Sequence, residues 1–249
     1  MPQPYKSAAP ANIGKVFLTA LAIIDDIGAI LIIALFYTKT VLFNYLLVAA
    51  GILLALFILN RLKVKKLIFY ILPGMVMWYC FLKSGVHATI AGVLLAFVIP
   101  FHKNDDENVS YHLQHFLHKP VAFIIVPIFA LVNTAILIPS NIIGSLATPN
   151  SLGIVLGLVA GKLLAIFAFP LLLVKAGIAS LQEGITWKNL AGIGLLGGIG
   201  FTMPMFISNL AFPDAGLVST SKLSVLIAST ISAIAGLTVF LTNRTVKQF

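Results

Sequence analysis

Residues Ala22-Ile23-Ile24-Asp25-Asp26-Ile27-Gly28-Ala29-Ile30 set two adjacent carboxylates in the middle of an otherwise uncharged apolar run from Val16 to Thr38. A run of that length can cross a bilayer, and an isolated charge inside it is costly to hold in hydrocarbon. The stretch therefore reads as a membrane span built around an intramembrane ion or proton site. The competing reading is a soluble core element with the acidic pair at a surface break, which suits a shorter and less apolar run.

The composition agrees with a membrane setting. The chain has 249 residues, of which 60% are hydrophobic and only 9% charged, too few charges to cover a water-facing surface. The expected fold class is all-α, a polytopic helical membrane protein. A net charge of +9 raises the question of nucleic acid. The basic residues, however, fall in short connections between apolar runs, as the positive-inside rule places them, so no nucleic acid is expected. Cys80 is the only cysteine, which excludes an internal disulfide and leaves no cysteine-based zinc or iron–sulfur ligand set. The first apolar run is long for a signal peptide and carries the carboxylates, so it reads as a retained span.

About eight spans follow from the apolar runs, at 16–37, 41–60, 67–82, 85–100, 121–138, 152–174, 190–212 and 223–241, forming one transporter domain over residues 1–249. Pro73-Gly74 is expected to bend the third. The segment 101–120, with His102, Asp105, Asp106 and Glu107, reads as a polar loop holding one or two interfacial helical turns, and 139–150 as an uncharged external loop. With eight spans, most Lys and Arg residues fall on one side and only Lys39, Lys83 and Lys222 on the other. Both termini are therefore expected to be cytoplasmic.

Three ionisable residues lie far from any span end: Asp25, Asp26 and Lys162. Adjacent helical positions differ by about 100° in direction, so one carboxylate can pair with Lys162 while the other faces a cavity. With all three ionised the group keeps one net negative charge, which suits a proton or a monovalent cation. A site that holds one or the other and opens alternately to each side exchanges them. The alternative for Lys162 is a lysine that snorkels to the interface.

The seventh run contains Gly192, Gly194, Gly197, Gly198 and Gly200 followed by Pro204, and is expected to be interrupted from Gly198 through Gly200 to Thr202. Its alternative is an unbroken helix packed through small residues. His87 reads as a structural imidazole near a helix start. His112, His115 and His118 share one helical face near a membrane boundary, better suited to a pH response than to a metal.

The runs FLTALAIIDDIGAILIIALFYT, LKSGVHATIAGV, SLGIVLGLVAGK and LLGGIGFTMPMFI closely resemble the bacterial NhaA-type Na⁺/H⁺ antiporters, in order and from about Val16 to the C-terminus. The resemblance implies an inverted-repeat transporter fold in which two interrupted helices cross at the ion site. It assigns Asp26 as the Na⁺-binding carboxylate, Asp25 as the partner of the intramembrane lysine, Lys162 as that lysine, and Gly198, Gly200 and Thr202 to the later helix break. His115 and His118 fall in a segment linked to pH control, where Gln114 replaces an acidic residue. Pro204 stands where the family motif commonly has serine.

By the same resemblance the chain starts where the fifth family span starts, so an N-terminally truncated antiporter lacking the first four helices is expected. The implied activity is Na⁺/H⁺ antiport in the cell inner membrane for sodium and pH homeostasis. Its partners are Na⁺, Li⁺, H⁺ and the lipid bilayer, with a homodimer as the candidate assembly and no cofactor. Two other readings stay open. One is a truncated, non-transporting bundle; the other is an intramembrane aspartyl protease, whose dyad needs two carboxylates facing each other, usually from separate helices.

Overall fold

A computed structural model describes residues 10–38, 41–101, 109–136, 138–139, 141–181 and 186–242. These residues form helices and connections, with no strand among them. The expected loop residues His102, Asp105, Asp106 and Glu107 lie outside the described residues. Five stretches are long and apolar enough to cross a membrane: Phe17–Phe36, Phe43–Arg61, Val109–Thr134, Pro149–Lys175 and Ala215–Thr242. The helices divide into two compact units, one of Asp26–Val132 and one of the described residues up to Asp25 and from Asn133 onward. The boundary falls inside α1 (Pro10–Phe36), between its two carboxylates.

In the first unit α2 (Phe43–Arg61), α3 (Ile68–Ser84) and α4 (Thr89–Val98) pack around Leu56, Tyr70, Met77, Phe81, Val98 and Ile99. The backbone N–H of Leu42, just before α2, donates to the Ser84 carbonyl at the end of α3 (2.9 Å). Asn60 Nδ2 donates to the Val98 carbonyl at the end of α4 (2.6 Å). Polar ends are thus tied together around an apolar middle. Gly85 (φ 86°) closes α3 in the left-handed conformation that a glycine adopts without a Cβ penalty. The α4 helix has ten residues against the sixteen of the expected span, and at 1.5 Å per residue reaches about half the hydrocarbon thickness.

The polar stretch expected as a loop differs most from expectation. From Val109 it is a helix, α5 (Val109–Pro120), which passes through a wide π-helical turn (Val121–Ile125) into α6 (Val126–Thr134). Val109 and Leu113 give this helix an apolar side that packs on the cluster of α2–α4, which polarity alone concealed. The wide turn lies between Pro120 and Pro127, where two missing N–H donors already interrupt the helical ladder.

In the second unit α7 (Ile142–Leu146) is a single turn within the expected external loop, capped by the Asn141 side chain. The α8 helix (Pro149–Leu156) starts at the Thr148 cap and continues through a second π-helical turn, Gly157–Gly161, into α9 (Lys162–Lys175). Then come α10 (Trp187–Leu196), α11 (Thr202–Ala211) and the long α12 (Ala215–Thr242). The α12 helix packs against α8, α10 and α11, and buries Ser221, Ser224, Val225, Ala228, Ser232 and Gly236. Small residues on that stripe let the neighbouring backbones come close.

Candidate functional site

Lys162 is the first residue of α9, directly after the π-helical turn Gly157–Gly161. Such a turn adds a residue to the helical ladder and re-aims whatever follows it, and two glycines at its ends relieve the crowding. So placed, Lys162 Nζ donates to Asp25 Oδ2 at 2.7 Å. This distance suits a charge-assisted hydrogen bond. The side chains are 23% and 47% exposed, respectively.

Asp26, next along α1, points about 100° away and is also exposed at the surface of the chain. An ionised carboxylate in the middle of an apolar span cannot face acyl chains at low cost, so this face of α1 requires water or a polar partner. The geometry answers the question the periodicity left open, since Asp25 is the carboxylate that meets the lysine.

The interruption lies between α10 and α11, at Gly197–Phe201. Tight turns end α10, with the N–H of Gly198 on the Leu195 carbonyl (2.9 Å) and that of Ile199 on the Leu196 carbonyl (3.0 Å). Beyond them the backbone turns to α12: the Gly200 N–H donates to Ser229 Oγ (3.3 Å), and that hydroxyl donates to the Gly200 carbonyl (3.4 Å). Thr202, exposed, opens α11.

Glycine is required at Gly198 by close approach, since a Cβ there would lie 2.5 Å from the Leu158 carbonyl oxygen. The break therefore rests directly on the backbone of the π-helical turn that precedes Lys162.

Three polar contributors escaped the sequence reading. Asn209 Nδ2 on α11 donates to Asn133 Oδ1 at the end of α6 (3.0 Å), and Ser229 hooks the break. Being uncharged, they left no mark in the charge pattern; an amide inside an apolar run was the available signal.

His115 stacks on Tyr111 along α5 (centroids 6.2 Å apart, planes 6° apart), and His112, His115 and His118 are all exposed. No group of three His, Cys, Asp or Glu residues among the described residues is arranged to hold a metal ion.

Residues 5–240 match the family described as Na⁺/H⁺ antiporter 1. The chain is 56% identical over 222 residues to a Flavobacterium psychrophilum protein named Na⁺/H⁺ antiporter NhaA, covering 89% of this chain and 58% of that protein. Similar proteins of the same name occur in Cytophaga hutchinsonii, 55% identical over 90% of this chain and 58% of the relative, and in Dechloromonas aromatica, 54% identical with the same coverage. The chain thus spans a little over half the length of these curated relatives. Over almost all of its own length, apolar spans, acidic pair and glycine-rich break included, the chain belongs to the Na⁺/H⁺ antiporter 1 family.

Proposed function

We propose that this chain carries the ion-exchanging part of a Na⁺/H⁺ antiporter, with Asp26 as the carboxylate that takes Na⁺, Li⁺ or a proton in turn. The observation that carries the reading is the 2.7 Å pair between Asp25 and Lys162. Two carboxylates and one ammonium keep one net negative charge within apolar helices, and a monovalent cation or a proton balances it. Because either ion neutralises the same charge, their occupancies exclude each other. Alternating exposure of such a site to the two sides turns that exclusion into exchange.

The interrupted helix supports the same reading. The C-terminal end of α10 and the N-terminal end of α11 bring opposite partial charges and unpaired backbone groups into the membrane, where they are tolerated beside buried polar groups or a cavity. In this reading the two units serve one transporter domain in the cell inner membrane, with both termini cytoplasmic. A second reading is a bundle that does not transport by itself, because a dehydrated cation needs more oxygen ligands than one carboxylate supplies.

Na⁺-induced proton movement in vesicles tests both readings, using the chain alone and the chain co-expressed with the N-terminal segment of a relative. Exchange is expected in the co-expressed form and is expected to disappear in Asp26→Asn. Exchange that survives Asp26→Asn would overturn the site assignment. Exchange by the chain alone would remove the non-transporting reading.

A further inference from the structure

Among the described residues one charged side chain is buried, and it lies outside the carboxylate pair and its lysine. Lys222, on α12, is 8% exposed, and no hydrogen bond or ion pair reaches its ammonium among the described residues. The carboxylates described in its unit are engaged elsewhere. Asp25 holds Lys162 (2.7 Å), and Asp214, exposed just ahead of α12, accepts the Leu217 N–H (2.8 Å). A charge left buried and unpaired is strongly destabilising, so this position calls for an anion. Lys222 is also one of the three basic residues that stand against the charge bias between loops, so orientation does not account for it.

The groups beside it favour an anion as well. Ser221, the preceding residue, accepts from Asn150 Nδ2 (2.8 Å), which fixes this turn of α12 against the N-terminal end of α8. There Pro149 has no N–H, and the Ser151 N–H donates to Thr148 Oγ1 (3.3 Å). The Asn150 N–H is left with no acceptor among the described residues. The positive end of the α8 dipole thus adds to the ammonium instead of offsetting it. Residues 139–150 bring no charged side chain of either sign.

Depth identifies the anion. The 28 residues of α12 extend about 42 Å, more than the hydrocarbon thickness of about 30 Å, so its first turns reach the headgroup level. Helical side chains lean toward the N-terminus, and a lysine stem carries its ammonium to the interface in that direction. At the same end α7 is tied to α8 by the Ser151 hydroxyl, which donates to the Ser145 carbonyl (2.8 Å), and presents Ile143 82% exposed, an apolar side chain suited to acyl chains. We propose that Lys222 and the N-terminal end of α8 bind a phosphate group, that of a lipid headgroup at this end of the bundle. The site stands apart from ion exchange and does not depend on it.

The test is thermal unfolding of the chain in detergent with added phosphatidylglycerol, with phosphatidylcholine, whose phosphate carries its own counter-charge, and with inorganic phosphate alone. A ligand of the folded state raises the unfolding temperature in proportion to its occupancy. Phosphatidylglycerol is expected to stabilise the parent chain by several degrees more than phosphatidylcholine does. That difference should vanish in Lys222→Met, which keeps the length of the stem, and persist in Lys222→Arg and in Lys175→Met, an exposed cation at the end of α9. Without lipid Lys222→Met should be at least as stable as the parent, having lost an unpaired charge.

A parental response in Lys222→Met overturns the site, because the lipid then acts elsewhere. An equal loss of response in Lys175→Met overturns it too, since the attraction is then diffuse. Marked instability of Lys222→Met without lipid also overturns it, the ammonium being then part of the fold. Full stabilisation of the parent by inorganic phosphate alone would overturn the lipid as its source.

Discussion

The unit of α2–α4 and the unit of α8–α12 are both strongly apolar, yet they pack by different means. The first fills its centre with large side chains, Leu56, Tyr70, Met77 and Phe81, and keeps its polar links at the helix ends. The second buries Ser151, Ser208, Ser221, Ser224 and Ser232 along with Gly192, Gly194, Gly198 and Gly200, and places a broken helix on backbone. In a bilayer the lipid is as apolar as any core, so association depends on close packing and hydrogen bonds rather than on escape from water. Large side chains pack and can yield. Backbone packed on backbone cannot, and that rigidity is what a site needs if an ion is to find its ligands in place.

The sharpest test of the difference is one added methyl in each unit. Gly198→Ala drives its Cβ against the Leu158 carbonyl and Ser232, and should cost about 3 kcal/mol, at the upper end for overpacking. Gly74→Ala in α3 meets only the end of the Leu95 side chain, at 2.6 Å, and should cost less than about 1 kcal/mol as that side chain rotates away. Thermal unfolding of the two variants measures the contrast. Equal losses would mean that the two units give way alike.

The ion pair comes next in size. Asp25 and Lys162 are partly exposed, so their coupling should fall between that of surface and buried pairs, about 1–2 kcal/mol. A thermodynamic cycle of Asp25→Asn, Lys162→Ala and the double variant reads it directly. The double variant should be more stable than the two single losses added together. Strict additivity would show that the contact contributes nothing to stability.

The smallest effect compares two helix ends of one design. After α2, the Val64 N–H reaches the Leu59 carbonyl (3.2 Å) around Lys63 in the left-handed conformation (φ 56°). After α9, the Ile178 N–H reaches the Leu173 carbonyl (3.0 Å) around Gly177 (φ 71°). A Cβ in that conformation costs on the order of 1 kcal/mol, so Lys63→Gly should stabilise and Gly177→Ala should destabilise by about that amount. Opposite shifts in the unfolding temperature are the expected result. Shifts of the same sign would show that side-chain contacts outweigh the backbone at these turns.

Much of this architecture could be read in advance, for reasons that are local. Length and hydropathy are properties of consecutive residues, so the runs around Asp25, Leu56 and Ala228 announced their helices. The density of glycine before Pro204 marked the place where a helix would stop, because propensity too is local. The segment 109–120 shows the limit of such reading. Its polar residues suggested a loop, while the apolar side that makes it a helix depends on Val109 and Leu113 finding the α2–α4 cluster.

The sequence by itself placed a charged triad inside apolar runs, established that adjacent carboxylates cannot face one partner, and marked the glycine-rich stretch where the seventh run was expected to break. The family resemblance implied Asp25 as the partner of Lys162, and the tertiary structure sets the two 2.7 Å apart; only that structure decided that the lysine follows a π-helical turn and that the break is held by Ser229 and faced by Ser232. Periodicity specifies the angle between neighbours on one helix. It carries nothing about which residue, far away in the chain, a second helix will bring to that angle, because that choice is made by packing among glycines and serines whose hydropathy is nearly neutral.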